Sequence, residues 1–224
     1  MRLALISDTH MKHAALTVPA CEVLIHAGDF SRRGTREELE GFLAWFASQS
    51  APTKLFIAGN HDFVCEREPA LARRLAREAG VHYLQEEEVH VGGLRIWGSP
   101  VTPWYRGMAF NRDRGETLRA HWERIPAGLD VLVTHGPPLG LGDRTFLKSS
   151  VGCAELLARI REVPPRVHVF GHIHEARGEY SLPGVPTRFL NVSTCRLLPV
   201  GLRAPVLLEL EPASEREASV RPTA

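Results

Sequence analysis

The 224-residue sequence has no long apolar run, no excess of either charge, four cysteines and few aromatic residues. Each shortage removes a class of protein. No stretch approaches the roughly 18 consecutive apolar residues of a membrane-spanning helix, so no membrane partner is expected. The apolar opening Met1–Ile6 is too short for the core of a secretory leader and runs straight into Ser7-Asp8-Thr9-His10. The cytoplasm is therefore the expected location. Lys and Arg total 27 against 26 Asp and Glu, a formal net charge of +1. Without a global basic field a nucleic acid polymer is not an expected partner, and any pull on an anion has to be local. Cys21, Cys65, Cys153 and Cys195 lie far apart and form no Cys-x-x-Cys pair, which disfavours a disulfide framework or a thiolate zinc site. With no repeat and no low-complexity linker, one domain is expected over residues 1–211, with a polar C-terminal tail over 212–224. The oligomeric state is not readable, and a homodimer stays open.

What the chain does have is histidine placed just after apolar runs. Arg2–Ile6, Val23–Ala27, Lys54–Ala58, Asp130–Val133 and the run ending at Phe170 read as buried strands. Thr35 and Glu38 stand in capping-box spacing ahead of a helix over 36–48, and Pro69 opens another that Gly80 ends. Helices are also expected over 115–124 and 151–162. A hairpin should turn on Gly92-Gly93, and Arg188–Val192 and Val206–Leu210 should close the fold as strands. Residues 98–114 form a long loop carrying Trp104, Tyr105, Phe110 and Asn111. Trp104 leans towards packing; Tyr105, Phe110 and Asn111 stay open between packing and substrate contact.

The five strands end in Asp8/His10, Asp29, Asn60/His61, His135 and His172/His174. In α/β architectures ligands bind outside the carboxyl ends of strands, so these residues should gather along one edge. Seven of them can ligate a metal: Asp8, His10, Asp29, Asn60, His135, His172 and His174. That exceeds the needs of one tetrahedral ion and suits two ions about 3.5–4 Å apart. Nitrogen and oxygen donors without thiolate suit divalent transition metals, manganese first, with iron, zinc, nickel or cobalt as alternatives. Two divalent ions outweigh two aspartates, so the site should attract a small anionic phosphoester. His26 and His168, inside apolar strands, read as buried structural histidines. His13, His82, His90 and His121 read as solvated.

Asp8-x-His10, Gly28-Asp29, Gly59-Asn60-His61-Asp62, Thr134-His135-Gly136 and Gly171-His172-Ile173-His174 together resemble the signature of the calcineurin-like metallophosphoesterases. His26-Ala27-Gly28-Asp29-Phe30, Ser99–Tyr105, Ala109-Phe110-Asn111, His135–Gly140 and Asn191–Cys195 further resemble the metallophosphoesterase-domain-containing (MPPED) subfamily, grouped with class III cyclic nucleotide phosphodiesterases. The resemblance implies an α/β (α+β) fold, a four-layer αββα sandwich. It implies that Asp8, His10, Asp29 and His174 hold one metal and that Asp29, Asn60, His135 and His172 hold the other, with Asp29 bridging. It makes His61 the catalytic acid near the substrate oxygens, and a hydroxide bridging the metals the nucleophile. The implied activity is that of a phosphodiesterase on cyclic nucleotides or other small phosphodiesters. The alternatives are a phosphomonoesterase or nuclease with the same site, or a catalytically silent metal-binding scaffold. Thr194 and Asn191 line the site by the same analogy. The chain departs from the protein phosphatases of this superfamily at Gly28-Asp29-Phe30-Ser31-Arg32-Arg33-Gly34. Arg33 occupies the position of a phosphate-binding arginine, while Arg32 replaces the acid that orients the histidine. His61 thus needs another orienting group, with Asp62 as one candidate.

Overall fold

The computed structural model describes residues 1–196 and 200–212. The tail expected over 212–224 therefore lies, past its first residue, outside the described residues. In chain order the strands are β1 (Arg2–Ile6), β2 (Val23–Ala27), β3 (Thr53–Ile57), β4 (His82–Tyr83), β5 (Glu87–Val91), β6 (Leu94–Ser99), β7 (Thr102–Pro103), β8 (Asn111–Arg112), β9 (Val131–Thr134), β10 (Val167–Phe170), β11 (Gly178–Leu182), β12 (Val185–Asn191), β13 (Cys195–Arg196), β14 (Gly201–Leu202) and β15 (Val206–Glu209). The helices are α1 (Arg36–Ala47), α2 (Phe63–Arg67), α3 (Pro69–Glu78), α4 (Glu116–Trp122) and α5 (Ala154–Glu162).

Two sheets carry the fold. One runs β15-β1-β2-β3-β4, the other β11-β12-β10-β9-β6-β5. Within them β1 to β4 are parallel, as are β12, β10, β9 and β6, while β15, β11 and β5 pair antiparallel at or near the edges. The central parallel strands β1, β2, β9 and β10 are buried on both faces, which is why they read as continuous apolar runs.

Side-chain alternation along each strand sorts the core into three apolar layers. Leu3, Leu5, Ile25, Leu55 and Ile57 meet Ile96, Val131, Val133, Val167 and Val169 between the sheets. Ala4, Ile6, Leu24 and Phe56 face the other way, onto Leu39, Phe42 and Phe46 of α1 and Ala72 and Ala76 of α3. On the far side Trp97, Leu132 and Phe170 pack with Leu118 and Trp122 of α4 and Leu156 and Ile160 of α5. Three apolar interfaces separate four layers, helix, sheet, sheet, helix, as the resemblance implies.

Local signals hold the helices in place. Thr35 Oγ1 accepts from the Glu38 amide at 3.3 Å, and Glu38 Oε2 accepts from Thr35, Gly34 and Arg33 amides, which completes the capping box and pins the turn before α1. Pro69 sits in the first turn of α3. The short α2 and the strands β4 and β11 were not expected; the first two are too brief to show a period. Among the described residues no helix is long and apolar enough to cross a membrane.

The expectation of one sheet edge is corrected. Asp8/His10, Asp29 and Asn60 follow adjacent strands β1, β2 and β3 of the first sheet, whereas His135 and His172/His174 follow adjacent strands β9 and β10 of the second. The sheets are tied at this end by a bridge between Ser7 and Ser193 and by the Thr194 amide donating to the Ser7 carbonyl at 2.9 Å.

Candidate metal centre

All seven expected ligands converge, in two groups. Asp8, His10 and His174 bring donor atoms within 4.8 Å of one another, and so do Asp29, His135 and His172. His10 Nε2 lies 3.3 Å from His174 Nε2, which lies 3.3 Å from Asp8 Oδ1. His135 Nε2 lies 2.9 Å from Asn60 Oδ1 and 3.3 Å from Asp29 Oδ2. Asp29 Oδ2 is also 3.9 Å from His10 Nε2, so this one carboxylate faces both groups. His172 and His174, two residues apart, fall into different groups: the His172 ring is 5.0 Å from His135, the His174 ring 5.2 Å from His10.

The tautomers are set from behind. His10 Nδ1 lies 2.9 Å from the Ser31 carbonyl and His135 Nδ1 3.0 Å from the Ala27 carbonyl. A carbonyl only accepts, so each Nδ1 carries its proton and each Nε2 presents a lone pair to the cluster. Nε2 of His135 then faces a carboxamide oxygen and a carboxylate, acceptor against acceptor. Only a cation or an added proton satisfies that arrangement. With no metal bound, the proton does it. Burial works against an imidazolium, but the Asp29 charge and hydrogen bond push His135 up to about 9. Burial lowers His172 to about 4, helped by the His135 charge. Burial would raise Asp8, yet the His174 charge and hydrogen bond, with His135 and His10, hold it well below the usual carboxylate range. The donor set therefore fits two divalent ions, and metal must displace protons to enter.

Glycines make the approach of these groups possible. A Cβ on Gly171 would stand 2.2 Å from Ser7 Oγ and 2.3 Å from Asp8 Oδ2; one on Gly59 would stand 2.3 Å from Asp29 Oδ1 and 2.7 Å from His135 Cε1. Gly28, Gly59 and Gly171 are thus surfaces on which a neighbouring motif's ligand rests.

His61 stands at the rim, its ring 4.9 Å from that of His10 and its amide donating to Asp29 Oδ1 at 2.8 Å. Its Nδ1 lies 3.2 Å from the Arg32 carbonyl. The residue in place of the family's acid thus supplies a main-chain acceptor. Asp62 does not orient this ring. Its buried carboxylate accepts from the amides of Asp29 (2.9 Å), Gly59 (2.7 Å) and Ser31 (3.0 Å) and from Ser31 Oγ (2.5 Å). Burial, then the Asp29 charge, pushes Asp62 up to about 7. Its work is to fasten the β2 and β3 turns together.

The candidate substrate contacts divide. Tyr105 is exposed and, with Trp104, Pro103, Arg114 and His172, lines a cavity of about 350 Å³ beside the centre. Trp104 is thus corrected from packing to cavity wall. Phe110, open between packing and substrate contact in the sequence, packs: it is only 2 % exposed, inside the core beneath the first sheet. Asn111 is committed to its own loop, accepting from Tyr105 and Met108 amides and donating to Thr102 Oγ1. Thr194 is buried, accepting from the Ser7 amide at 3.3 Å, which positions the strand end before Asp8. Arg33 is exposed, and among the described residues its side chain has no hydrogen bond or ion pair with the cluster. Asn191 is buried, donating to the Gly142 and Ile173 carbonyls.

Other residues support the ligands unannounced. His26 Nε2 bonds Thr9 Oγ1 at 3.0 Å, and His168 Nε2 bonds Thr134 Oγ1 at 2.7 Å. Each buried histidine thus holds the threonine that precedes a ligand histidine, His10 or His135. Arg203 donates to the carbonyls of His174 and Cys195 at 3.0 Å, fixing the His174 turn. The Thr-His repeat was visible in the sequence; the arginine carried no local signal. His13 and His121 are not solvated as expected. His13 is buried against Trp45, 4.8 Å between rings, and His121 bonds Ser99 Oγ at 3.1 Å; burial pushes both down to about 4.

Residues 1–195 match the family model described as the calcineurin-like phosphoesterase superfamily domain. Over 232 aligned residues the chain is 38 % identical to human metallophosphoesterase domain-containing protein 1, covering 93 % of this chain and 71 % of that protein, and the mouse protein gives the same figures. A solved structure of TT1561 from Thermus thermophilus shares the fold at TM-score 0.56 and 12 % identity, covering 85 % of this chain and 88 % of that one. Another shares it at TM-score 0.64 and 18 % identity, covering 85 % and 89 %. Motif order, four-layer fold and converging ligands agree with the sequence match, and this chain belongs to the calcineurin-like phosphoesterase superfamily.

Proposed function

We propose that the protein is a binuclear metal-dependent phosphodiesterase acting on small phosphodiesters, cyclic nucleotides first among them. The observation that carries the reading is the convergence of seven nitrogen and oxygen donors in two groups sharing Asp29, with a rim histidine and a cavity alongside. Two divalent ions, manganese by preference, would supply an activated water and neutralise charge developing on the phosphoryl oxygens. The chain's own part is positional. Asp8, His10 and His174 would hold one ion and Asn60, His135 and His172 the other, with Asp29 facing both groups.

His61 handles the proton. The Arg32 carbonyl accepts from Nδ1 whether or not Nε2 is protonated, so Nε2 is the atom that holds and gives a proton to the leaving oxygen. The neighbouring cavity, with Tyr105, Trp104 and Arg114 in its wall, has the size and mixed character to take the organic group of a small ester. Four free cysteines suit the proposed cytoplasmic setting.

The test is a substrate panel with added manganese: 2′,3′- and 3′,5′-cyclic nucleotides, an aryl diester and an aryl monoester. Hydrolysis of the diesters is expected. Hydrolysis of the monoester alone would sink the diesterase reading, and two bound metals without turnover of any ester would mark a silent scaffold.

A further inference from the structure

Among the described residues seven large apolar side chains are exposed; two of them, Trp104 and Tyr105, line the cavity beside the metal centre, and three more lie on the segment that supplies Thr145 to its wall. Trp104 (62 %) and Tyr105 (54 %) lie on the loop before β8; Leu139, Phe146 (74 %) and Leu147 (83 %) lie on the segment between β9 and α5. Thr145, next to Phe146, lines the same cavity as Trp104 and Tyr105. Single exposed apolar residues are ordinary, but a cluster at the entrance to a site marks an interaction surface.

The tip bearing Phe146 and Leu147 is a closed turn. Arg144 bridges Ser150, the Thr145 amide donates to the Ser149 carbonyl at 3.0 Å and the Lys148 amide to the Thr145 carbonyl at 2.7 Å. The Phe146 amide donates to the Glu175 carboxylate. Three amides around the tip are thereby satisfied by the protein, so the tip can leave water at little cost in unmade hydrogen bonds.

Charge selects the partner. Arg106, Arg112, Arg114, Arg144 and Lys148 lie on residues 103–114 and 138–152, against Asp113 and Asp143 there and Glu175 in the cavity wall. Asp143 is buried and spent on the Gly140 and Gly152 amides. The Arg106 guanidinium lies over the Tyr105 ring at 5.2 Å. A near-neutral chain thus carries a local cationic surplus around its apolar tip. Symmetric pairing with a second copy would bring like charges together. Exposed Trp, Tyr, Phe and Leu ringed by Arg and Lys is the composition that settles at an anionic bilayer interface.

We propose that this face docks on an anionic lipid surface, with Phe146-Leu147 entering the headgroup boundary and Trp104-Tyr105 beside it, so that the cavity opens toward the headgroups. The expectation of no membrane partner rested on the lack of a spanning helix, which peripheral docking does not require. Docking needs no turnover, so its test is separate from that of the phosphodiesterase reading.

The experiment is co-sedimentation of the full chain with vesicles of phosphatidylcholine alone or with about 30 % phosphatidylglycerol. Binding is expected only with the anionic lipid, weakening with salt. Trp104 fluorescence should shift to the blue, a change that Trp104→Phe removes. The double variant Phe146→Ser, Leu147→Ser should bind at least ~10-fold more weakly, about 1.4 kcal/mol, with far-ultraviolet circular dichroism and metal content unchanged. No binding of the wild type to anionic vesicles overturns the proposal, as does equal binding by the folded double variant. A concentration-dependent dimer that the same variant abolishes would also overturn it, assigning the face to a second copy.

Discussion

Gly171→Ala places one methyl group against Asp8 of the first metal group and against Ser7 beside it. The added Cβ would sit 2.3 Å from Asp8 Oδ2 and 2.2 Å from Ser7 Oγ, about 1 Å inside ordinary contact. Asp8 cannot simply swing away. Its two carboxylate oxygens accept from the His172 amide at 3.1 and 3.0 Å, and Oδ2 also accepts from Ser7 Oγ at 2.6 Å. Relief therefore displaces the carboxylate or the turn that carries His172 and His174. Overpacking of this kind costs about 1–3 kcal/mol of stability, and a displacement near 1 Å at a reacting centre costs on the order of 100-fold in rate. Calorimetric titration of the metal-stripped variant with manganese should show the Asp8 group weakened, with a folded circular dichroism spectrum and a lowered Tm. Gly201→Ala, with open space around the added carbon, is the control and should be neutral. If Gly171→Ala binds two metals as tightly as wild type, the close packing of the motif glycines on ligands is not what holds the site together.

Other perturbations separate the roles of the histidines. His61→Ala should keep both metals and lose most rate on esters with poor leaving groups; equal rates would remove its acid role. His172→Ala should weaken the Asp29/His135 group and leave the Asp8/His10/His174 group, read as loss of one of two binding steps. His26 and His168 are buried and pushed down to about 3, against the ordinary imidazole value of 6.5. The unfolded chain therefore takes up protons first as pH falls. Their contribution is complete above pH 6.5 and is lost towards pH 3, at about 2 kcal/mol for each histidine by pH 5. Urea midpoints in EDTA at pH 7.5 and 5.0 should show the loss, and His168→Gln should reduce it; an unchanged pH dependence in that variant would refute the assignment. Because His135 stands at about 9 without metal, binding of manganese in weak buffer at pH 7.5 should release protons, measurable with an indicator dye.

The strands and their chemical endings were legible because a parallel strand buried on both faces leaves a plain apolar run with its functional residues at the end. Which sheet each strand joins was not, since β2 and β9 have the same apolar character and only pairing distinguishes them. Rim aromatics were hard for a related reason. Trp104 and Phe110 share one loop, and their exposure depends on Asn111 folding that loop so that Phe110 points inward and Trp104 outward. His13 looked solvated beside Lys12, but a single turn at His13–Ala15 tucks it under α1.

One property of the centre is hidden from any reading by residue type. Asp8, His10, Asp29 and His172 all have positive φ, at 53°, 42°, 59° and 69°, a region that side chains disfavour by about 1–2 kcal/mol each. Sequence rules assign such turns to glycine, yet a ligand position needs a side chain. The conflict is resolved by backbone bonds that continue the sheet beyond its last paired residues. The Asp8 amide donates to the Gly28 carbonyl (2.8 Å), His10 to Asp29 (3.1 Å) and Met11 to Phe30 (2.8 Å), while the His172 amide is held by Asp8 itself. Strain of this kind persists only where the surroundings over-determine it. Here the same bonds that keep the strained turns also aim the ligands, so the geometry of the centre is set by the chain before any ion arrives.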